Sequence, residues 1–277
     1  MKKIRLDLYL TENSYFETRE KAKAAIMEGN VFVDNQREDK PGTMINLDSK
    51  VEFRGEKLKY VSRGGLKLEK AVTVFKIELD NKVCMDIGAS TGGFTDLMIQ
   101  NGARKVYAID CGTNQLDYKL RINEKVVTME NTNARYLSKD SIGNDVIDFI
   151  SVDVSFISLT KIIPVVKIIL KDNGTAVMLI KPQFEAGREL VEKNGVVRDK
   201  KIHKKVVNYI IDFCINLNCE ILGLDFSPIK GPAGNIEYLL YIKNIGNNNS
   251  DYNNDCIDDD TINCIIDKSH EILNNEA

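Results

Sequence analysis

Three polar residues stand where strand-like apolar runs begin or end, and their chemistry is complementary. Asp153 closes VIDFISVD, Lys181 closes TAVMLIK and Glu237 opens EYLLYIK. A charge beside a buried strand is costly unless it is paired or solvated, and two carboxylates can pair with an amine. A lysine beside carboxylates suits proton transfer from an alcohol, because burial and a neighbouring cation both favour its neutral, basic form. Lys67, in a helical run ahead of the first strand, is a candidate for that second cation.

The ligand for such a site is suggested by residues 83–96, VCMDIGASTGGFTD. Strand, glycine turn and helix open a βαβ unit, whose usual tenants are nucleotide-like. A dinucleotide fingerprint needs G-x-G-x-x-G, but Gly88 is followed by Ala89-Ser90-Thr91. A P-loop needs Lys then Ser/Thr after its second glycine, and here Phe94 and Thr95 follow Gly93, so no cation awaits a β/γ-phosphate. A glycine turn without phosphate chemistry, headed by Asp86, suits a neutral or cationic nucleoside such as S-adenosylmethionine. The next strand, KVYAID, ends in Asp110, a little over ~20 residues past Gly88, the spacing at which an acid reaches both ribose hydroxyls.

These residues need a sheet to position them. VCMDIG, KVYAID, KVVTME, VIDFISVD, TAVMLIK, EILGLDF and EYLLYIK alternate with helical stretches, which predicts an α/β fold, a doubly wound and mainly parallel seven-stranded sheet. The carboxyl ends of parallel strands face the ligand crevice. Asp153 and Lys181 would therefore flank the glycine turn, and Glu237 would join them if its strand ran antiparallel. LKLEKAVTVFKI reads as a helix packing Leu66, Leu68, Ala71 and Val72 on the sheet.

Residues 1–60 form a separate small α/β unit. RLDLYLTEN and TREKAKAAIMEGN read as helices, with Leu6, Leu8 and Leu10 apolar on the first, Ala22, Ala25 and Ile26 on the second, and Gly29 as C-cap. VFVDNQ reads as strand and turn, and INLDSKVEFR as one more strand. Arg5, Arg19, Lys21, Lys23, Arg37 and Lys40 decorate this unit, interleaved with Glu17, Glu20 and Glu28. Residues 61–65, with Arg63-Gly64-Gly65, read as a linker before a domain over 66–245. Residues 246–260, rich in Asn and Asp, read as a flexible acidic connector, and 261–277 as a C-terminal helix.

Composition narrows the class. The net charge of −3 hides a tail over 246–277 with eight acids and one lysine, leaving the body mildly basic. The chain is 43% hydrophobic with no apolar run near ~18 residues, so neither a membrane span nor a signal peptide is visible and a soluble, cytoplasmic protein is expected. Six cysteines without a CxxC pair give no zinc or disulfide expectation and no metal site. His203 and His270 read as surface residues.

RLDLYL, SYFETREKAKAAIMEGNVFVDNQ, a Pro-Gly turn and a strand together resemble an S4 RNA-binding domain. That likeness implies RNA contacts from Arg19, Lys21, Lys23 and Arg37, with Arg5 and Arg63 as further candidates. SRGGLKLEKA, DIGASTGGFTD, ENTNAR, DVSFISL, LIKPQFEAG and SPIKGPAGNIEYLL extend the resemblance over residues 4–243 to the TlyA family, ribosomal RNA 2′-O-methyltransferases with an S4 domain and an FtsJ-like domain. It implies a Lys-Asp-Lys-Glu tetrad on Lys67, Asp153, Lys181 and Glu237, with Lys181 taking the hydroxyl proton. It also implies a cofactor set of Asp86, Gly88, Ser90, Gly92, Gly93, Phe94, Asp110 and Asp153 for S-adenosylmethionine, and ribosomal RNA or ribosomal subunits, with a cytidine target, as partner. Arg188, Arg198, Lys200, Lys201, Lys204 and Lys205 offer a further basic stretch. The rival readings are a non-catalytic rRNA-binding or assembly protein and a membrane-active haemolysin.

Overall fold

The computed structural model describes residues 3–16, 18–27, 29–54, 59–192, 194–246 and 257–275. Glu17, Glu28, Cys256 and residues 247–256 of the expected connector lie outside them. The chain divides into two compact units, Met1–Leu58 and Lys59–Ala277.

In the first unit β1 (Lys3–Arg5), α1 (Leu6–Glu12), α2 (Arg19–Met27), β2 (Val31–Val33), β3 (Gln36–Glu38), β4 (Met44–Asn46) and β5 (Val51–Phe53) follow in order. β2 and β3 form a hairpin through Asp34 and Asn35, at φ +50° and +68°, residue types that tolerate the left-handed turn. Leu6, Leu10, Ala22, Ala25, Ile26, Val31, Ile45 and Val51 make the core, while Leu8 is only partly covered. INLDSKVEFR is two strands rather than one. Ser49 N–H donates to the Asn46 carbonyl at 3.0 Å and turns the chain, so β4 pairs with β1 while β5 pairs with β2.

The second unit contains α3 (Gly65–Val74), β6 (Val83–Ile87), α4 (Gly93–Gln100), β7 (Lys105–Ile109), α5 (Tyr118–Arg121), β8 (Val126–Met129), β9 (Ile147–Val152), α6 (Ile163–Ile169), β10 (Leu170–Ile180), α7 (Pro182–Glu185), α8 (Lys200–Asn216), β11 (Cys219–Phe226), β12 (Tyr238–Asn244) and α9 (Asp259–Asn275). The sheet order is β11-β12-β10-β9-β6-β7-β8. β8 through β10 run parallel in that sheet, and β12 is antiparallel to both β10 and β11. Alternate residues feed opposite faces: Met85, Ile87, Ile150, Val152, Met178 and Tyr238 pack with α6, α8 and α9, whereas Cys84, Phe149, Val177 and Leu239 pack with α3 and α4. No helix among the described residues is long and apolar enough to cross a membrane.

Three organisational expectations change. Residues 61–65 are packed rather than a free linker: Tyr60 is buried, Val61 N–H donates to Asp96 at 2.8 Å, and Gly65 already begins α3. α9 starts at Asp259, because Asp258 caps it through Thr261 N–H at 2.6 Å and Asp259 and Asp260 fill its first turn, where acids favour the helix dipole. His203 is fully buried and His270 partly so. His203 bonds the Tyr238 hydroxyl at 2.7 Å and the Val197 carbonyl at 2.8 Å beneath α9, so its polar atoms are satisfied without water.

The basic candidates of the first unit are organised by one buried acid. Asp7, fully buried, accepts from Arg5 at 2.9 and 3.0 Å and from Arg19 at 3.0 Å. Lys23 is half-buried, Arg37 is exposed with its guanidinium against Gly29, and Lys21 is half-buried. The Arg5 bond, with Arg19 in support, holds the Asp7 carboxyl down to about 2 against burial, which raises it. Its folded pKa lies below its unfolded value, so its stabilisation is present above about pH 4 and is lost as pH falls towards 2. Hydrogen exchange over residues 3–54 should show that acid-induced loss in the wild type; Asp7→Asn should lower protection at neutral pH and flatten the decline.

Candidate active site

Topology puts the four tetrad positions on one rim. β9 and β10 end there by running parallel to β6, and β12 begins there because it runs the other way, with Ile180 opposite Tyr238. Asp153 N–H donates to the Ile87 carbonyl at 2.9 Å. Lys181 precedes Pro182 and is held extended at φ −115°, ψ 100°, as a following proline demands. Glu237 is reached through a loop in which Gly231 has no side chain to spare: a Cβ there would stand 2.5 Å from Glu237 Oε1. Lys67 comes from the opposite side, on the first turn of α3.

The side chains form two linked ion pairs. Lys67 Nζ donates to Glu237 Oε2 at 2.6 Å and lies 3.5 Å from Asp153 Oδ2, while Lys181 Nζ is 2.5 Å from Asp153 Oδ1. Lys181 also donates to Ser155 Oγ at 3.1 Å. Lys67 and Lys181 are each 6% exposed and Glu237 1%. Burial pulls the Lys67 pKa down, but Asp153 and Glu237 outweigh it and hold the ammonium above its ordinary value. Lys67 is therefore a fixed cation.

A cavity adjoins this network, lined by Ser62, Gly64, Asp86, Gly88, Ala89, Ser90, Thr91, Gly93, Phe94 and Asp153. Gly88, at φ +87°, lets the turn pass so close to β9 that a Cβ would collide with the Asp153 carbonyl. Asp86 edges the cavity with its oxygens turned inward, accepting from Thr95 N at 3.0 Å, Thr95 Oγ1 at 2.7 Å and Ser151 Oγ at 3.0 Å. Burial pushes its carboxyl up to about 7 despite those bonds. Its task is to pin the turn. Gly92, absent from the lining, caps α4 at φ +96°. Asp110, also absent from the lining, accepts from Ser90 N and Gly112 N at 2.7 Å each; a carboxylate still has lone pairs for hydroxyls. The donor set fits S-adenosylmethionine: three acids face or brace the cradle, which suits a sulfonium cation better than phosphate.

Sequence reading passed over several residues that the structure gathers. Ser62 and Gly64 form a cavity wall, and the SRGG preceding Lys67 was the available signal. Arg63, expected to contact RNA, is exposed between them. Phe156, at φ +63°, is 92% exposed, and its ring lies 5.2 Å from that of Phe184. In the further basic stretch Arg198 pairs with Glu192, Lys200 with Asp267 at 2.6 Å and Lys204 with Asp259 at 2.9 Å. α9 thus neutralises much of a face expected to meet RNA, while Arg188, Lys201 and Lys205 are exposed.

Residues 60–244 match the FtsJ-like methyltransferase family and residues 4–51 the S4 domain. Fold and site thus define an FtsJ-like methyltransferase preceded by an S4 domain. The chain is 50% identical over 241 residues to YqxC of Bacillus subtilis (strain 168), covering 87% of this chain and 86% of that one. It is 35% identical over 243 residues to the 16S/23S rRNA (cytidine-2'-O)-methyltransferase TlyA of Mycobacterium tuberculosis (strain ATCC 25618 / H37Rv), covering 87% and 90%. A solved structure of a haemolysin-named protein from Streptococcus thermophilus superposes with a TM-score of 0.78 at 45% identity, covering 100% of this chain and 98% of that one. The chain belongs to the TlyA family.

The buried pair makes a stability prediction. Lys67→Met leaves the Glu237 carboxylate buried without its cation, which should cost roughly 3–5 kcal/mol in urea unfolding. The double variant Lys67→Met/Glu237→Gln should recover most of that loss. A double variant as unstable as the single one would show that packing around Lys67, rather than charge pairing, holds the rim together.

Proposed function

We propose that this chain transfers a methyl group from S-adenosylmethionine to the 2′-hydroxyl of a cytidine ribose in ribosomal RNA. The observation that carries the reading is the pair of linked ion pairs, Lys67–Glu237 and Lys181–Asp153, set beside the glycine-turn cavity. The activity in the name of the mycobacterial relative supports it, and so does the S4 match at the N-terminus for an RNA partner.

S-adenosylmethionine bound in the cavity supplies an electrophilic methyl group. Asp110 and the turn at Gly88 and Ser90 hold its nucleoside, and Asp153 lies between that cavity and Lys181. Lys181 first gives up to solvent the proton it carries in the ion pair; its neutral amine then takes the proton of the 2′-hydroxyl as that oxygen takes the methyl and S-adenosylhomocysteine leaves. The new ammonium is met by Asp153 at 2.5 Å, while Ser155 fixes the direction of Nζ. Lys67 does not titrate in this step; its charge, balanced by Glu237, keeps Asp153 placed between two lysines. The exposed Phe156 ring gives the target base a stacking surface, the usual means of holding an unpaired base. Arg5 and Arg19, oriented by Asp7, contribute to RNA affinity through phosphate contacts.

Positioning an alcohol against an activated donor supplies most of such a rate, and the base adds about 10²–10⁴-fold. Lys181→Ala should lose methyl transfer by about that factor in single-turnover assays on ribosomal subunits lacking the modification. Calorimetric affinity for S-adenosylhomocysteine should be unchanged. Lys181→Arg should fail as badly, since a guanidinium stays protonated. Near-normal transfer by the arginine variant would make Lys181 a charge anchor and place the base elsewhere.

A further inference from the structure

The segment 153–159 is held in a conformation its own residues do not favour. Phe156 is a non-glycine residue at φ +63°, with its ring 92% exposed. Left-handed backbone at a bulky residue and an apolar ring in water are both unfavourable, and such a residue persists where the surroundings over-determine it. Four contacts bind this segment to the stretch 181–185. Lys181 pairs with Asp153 at 2.5 Å and donates to Ser155, the Phe156 and Phe184 rings meet, and Glu185 accepts from Ser158 Oγ at 2.6 Å and from Leu159 N at 2.7 Å.

The Glu185 contact involves neither Lys181 nor Asp153. Ser158 caps the 3-10 turn Leu159–Lys161, and Leu159 N–H is one of the donors that such a turn leaves without an internal partner. Leu159 itself is 1% exposed, so its N–H has only a protein acceptor to turn to, and that acceptor comes from a residue 26 positions away. Glu185 is the last residue of α7, whose N-cap is Lys181 and whose Phe184 ring lies 5.9 Å from Lys181 Nζ. The carboxylate therefore fastens the strand-end that bears Asp153, Ser155 and Phe156 to the short helix that begins at Lys181.

We infer that Glu185 is a positioning residue for the methyl acceptor: its carboxylate sets the Phe156–Phe184 aromatic pair beside Lys181, so that the target nucleoside meets a ready-made platform. The inference rests on the methyl-transfer reading for its kinetic consequence and on geometry alone for its structural one. Burial raises the Glu185 pKa, and the bonds from Ser158 and Leu159 oppose that rise by favouring the carboxylate.

The chain contains no tryptophan, so Phe156→Trp installs a single fluorophore on the segment. In that background Glu185→Ala should lower Trp anisotropy and shift its emission, whereas Glu185→Gln, whose amide can accept from Leu159 and face Ser158, should restore both. In the natural background Glu185→Ala should raise KM for ribosomal subunits roughly 10- to 100-fold, the scale of a misplaced reactant. Affinity for S-adenosylhomocysteine should stay constant, and Glu185→Gln should return KM towards the wild type. An unchanged KM, or a loss of cofactor affinity in step with it, would overturn the inference. Should Glu185→Ala fail to fold, Ser158→Ala removes one of the two bonds and decides by the same readouts. If the wild type itself failed to methylate ribosomal RNA, the anisotropy would still report whether Glu185 holds the segment, separating the two failures.

Discussion

The structure turns on four charges gathered at one rim of the sheet. Lys67, Asp153, Lys181 and Glu237 arrive from a helix and three strand ends separated by up to 170 residues, and the buried Lys67 and Glu237 depend on each other for compensation. An unpaired buried charge is worth several kcal/mol against the folded state, so the sheet order, the reversal of β12 and the packing of α3 are coupled requirements. With β12 parallel, Glu237 would sit at the far edge of the sheet and Lys67 would face Asp153 alone. The geometry of the site and the stability of the fold are thus the same constraint at this rim.

The glycine turn depends on that constraint as well. Gly88 is pressed against the Asp153 carbonyl, Asp86 braces the helix behind the turn through Thr95, and Asp110 holds Ser90 from the neighbouring strand. Two acids that look alike in sequence therefore divide their work by burial: Asp86 has its oxygens closed off, and Asp110 stays half-open. Only the second has capacity left for a ligand.

Much of this was legible in the residues. Seven apolar runs rich in Val and Ile, each bounded by polar or glycine residues, mark the strands, because strands buried on both faces read as continuous apolar stretches. Asp153, Lys181 and Glu237 stood out by interrupting such runs. Lys67 did not, since a lysine amid LKLEKA has the pattern of a solvated face, and only the distant Glu237 makes its burial tolerable. Asp7 was invisible for the same reason, as its two arginines lie before α1 and on α2. His203 was misread because its partners, Tyr238 and the Val197 carbonyl, converge through tertiary packing. INLDSKVEFR hid a break because its Asp-Ser pair sits between apolar residues that serve different sheets. The basic run at the start of α8 promised a nucleic-acid surface, but its lysines meet acids that arrive some 60 residues later in α9.

That late arrival bears on the order in which the molecule is completed. α9 supplies Ile262, Ile266 and Leu273 to the larger core and covers His203 beside Tyr238, the neighbour of Glu237. Chains are synthesised from the N-terminus and their domains form in that order, so the first unit can close long before the second. The second completes its larger core only once α9 has left the ribosome, and a chain that stalls before α9 would carry a finished N-terminal unit joined to a sheet still uncovered over His203 and Tyr238.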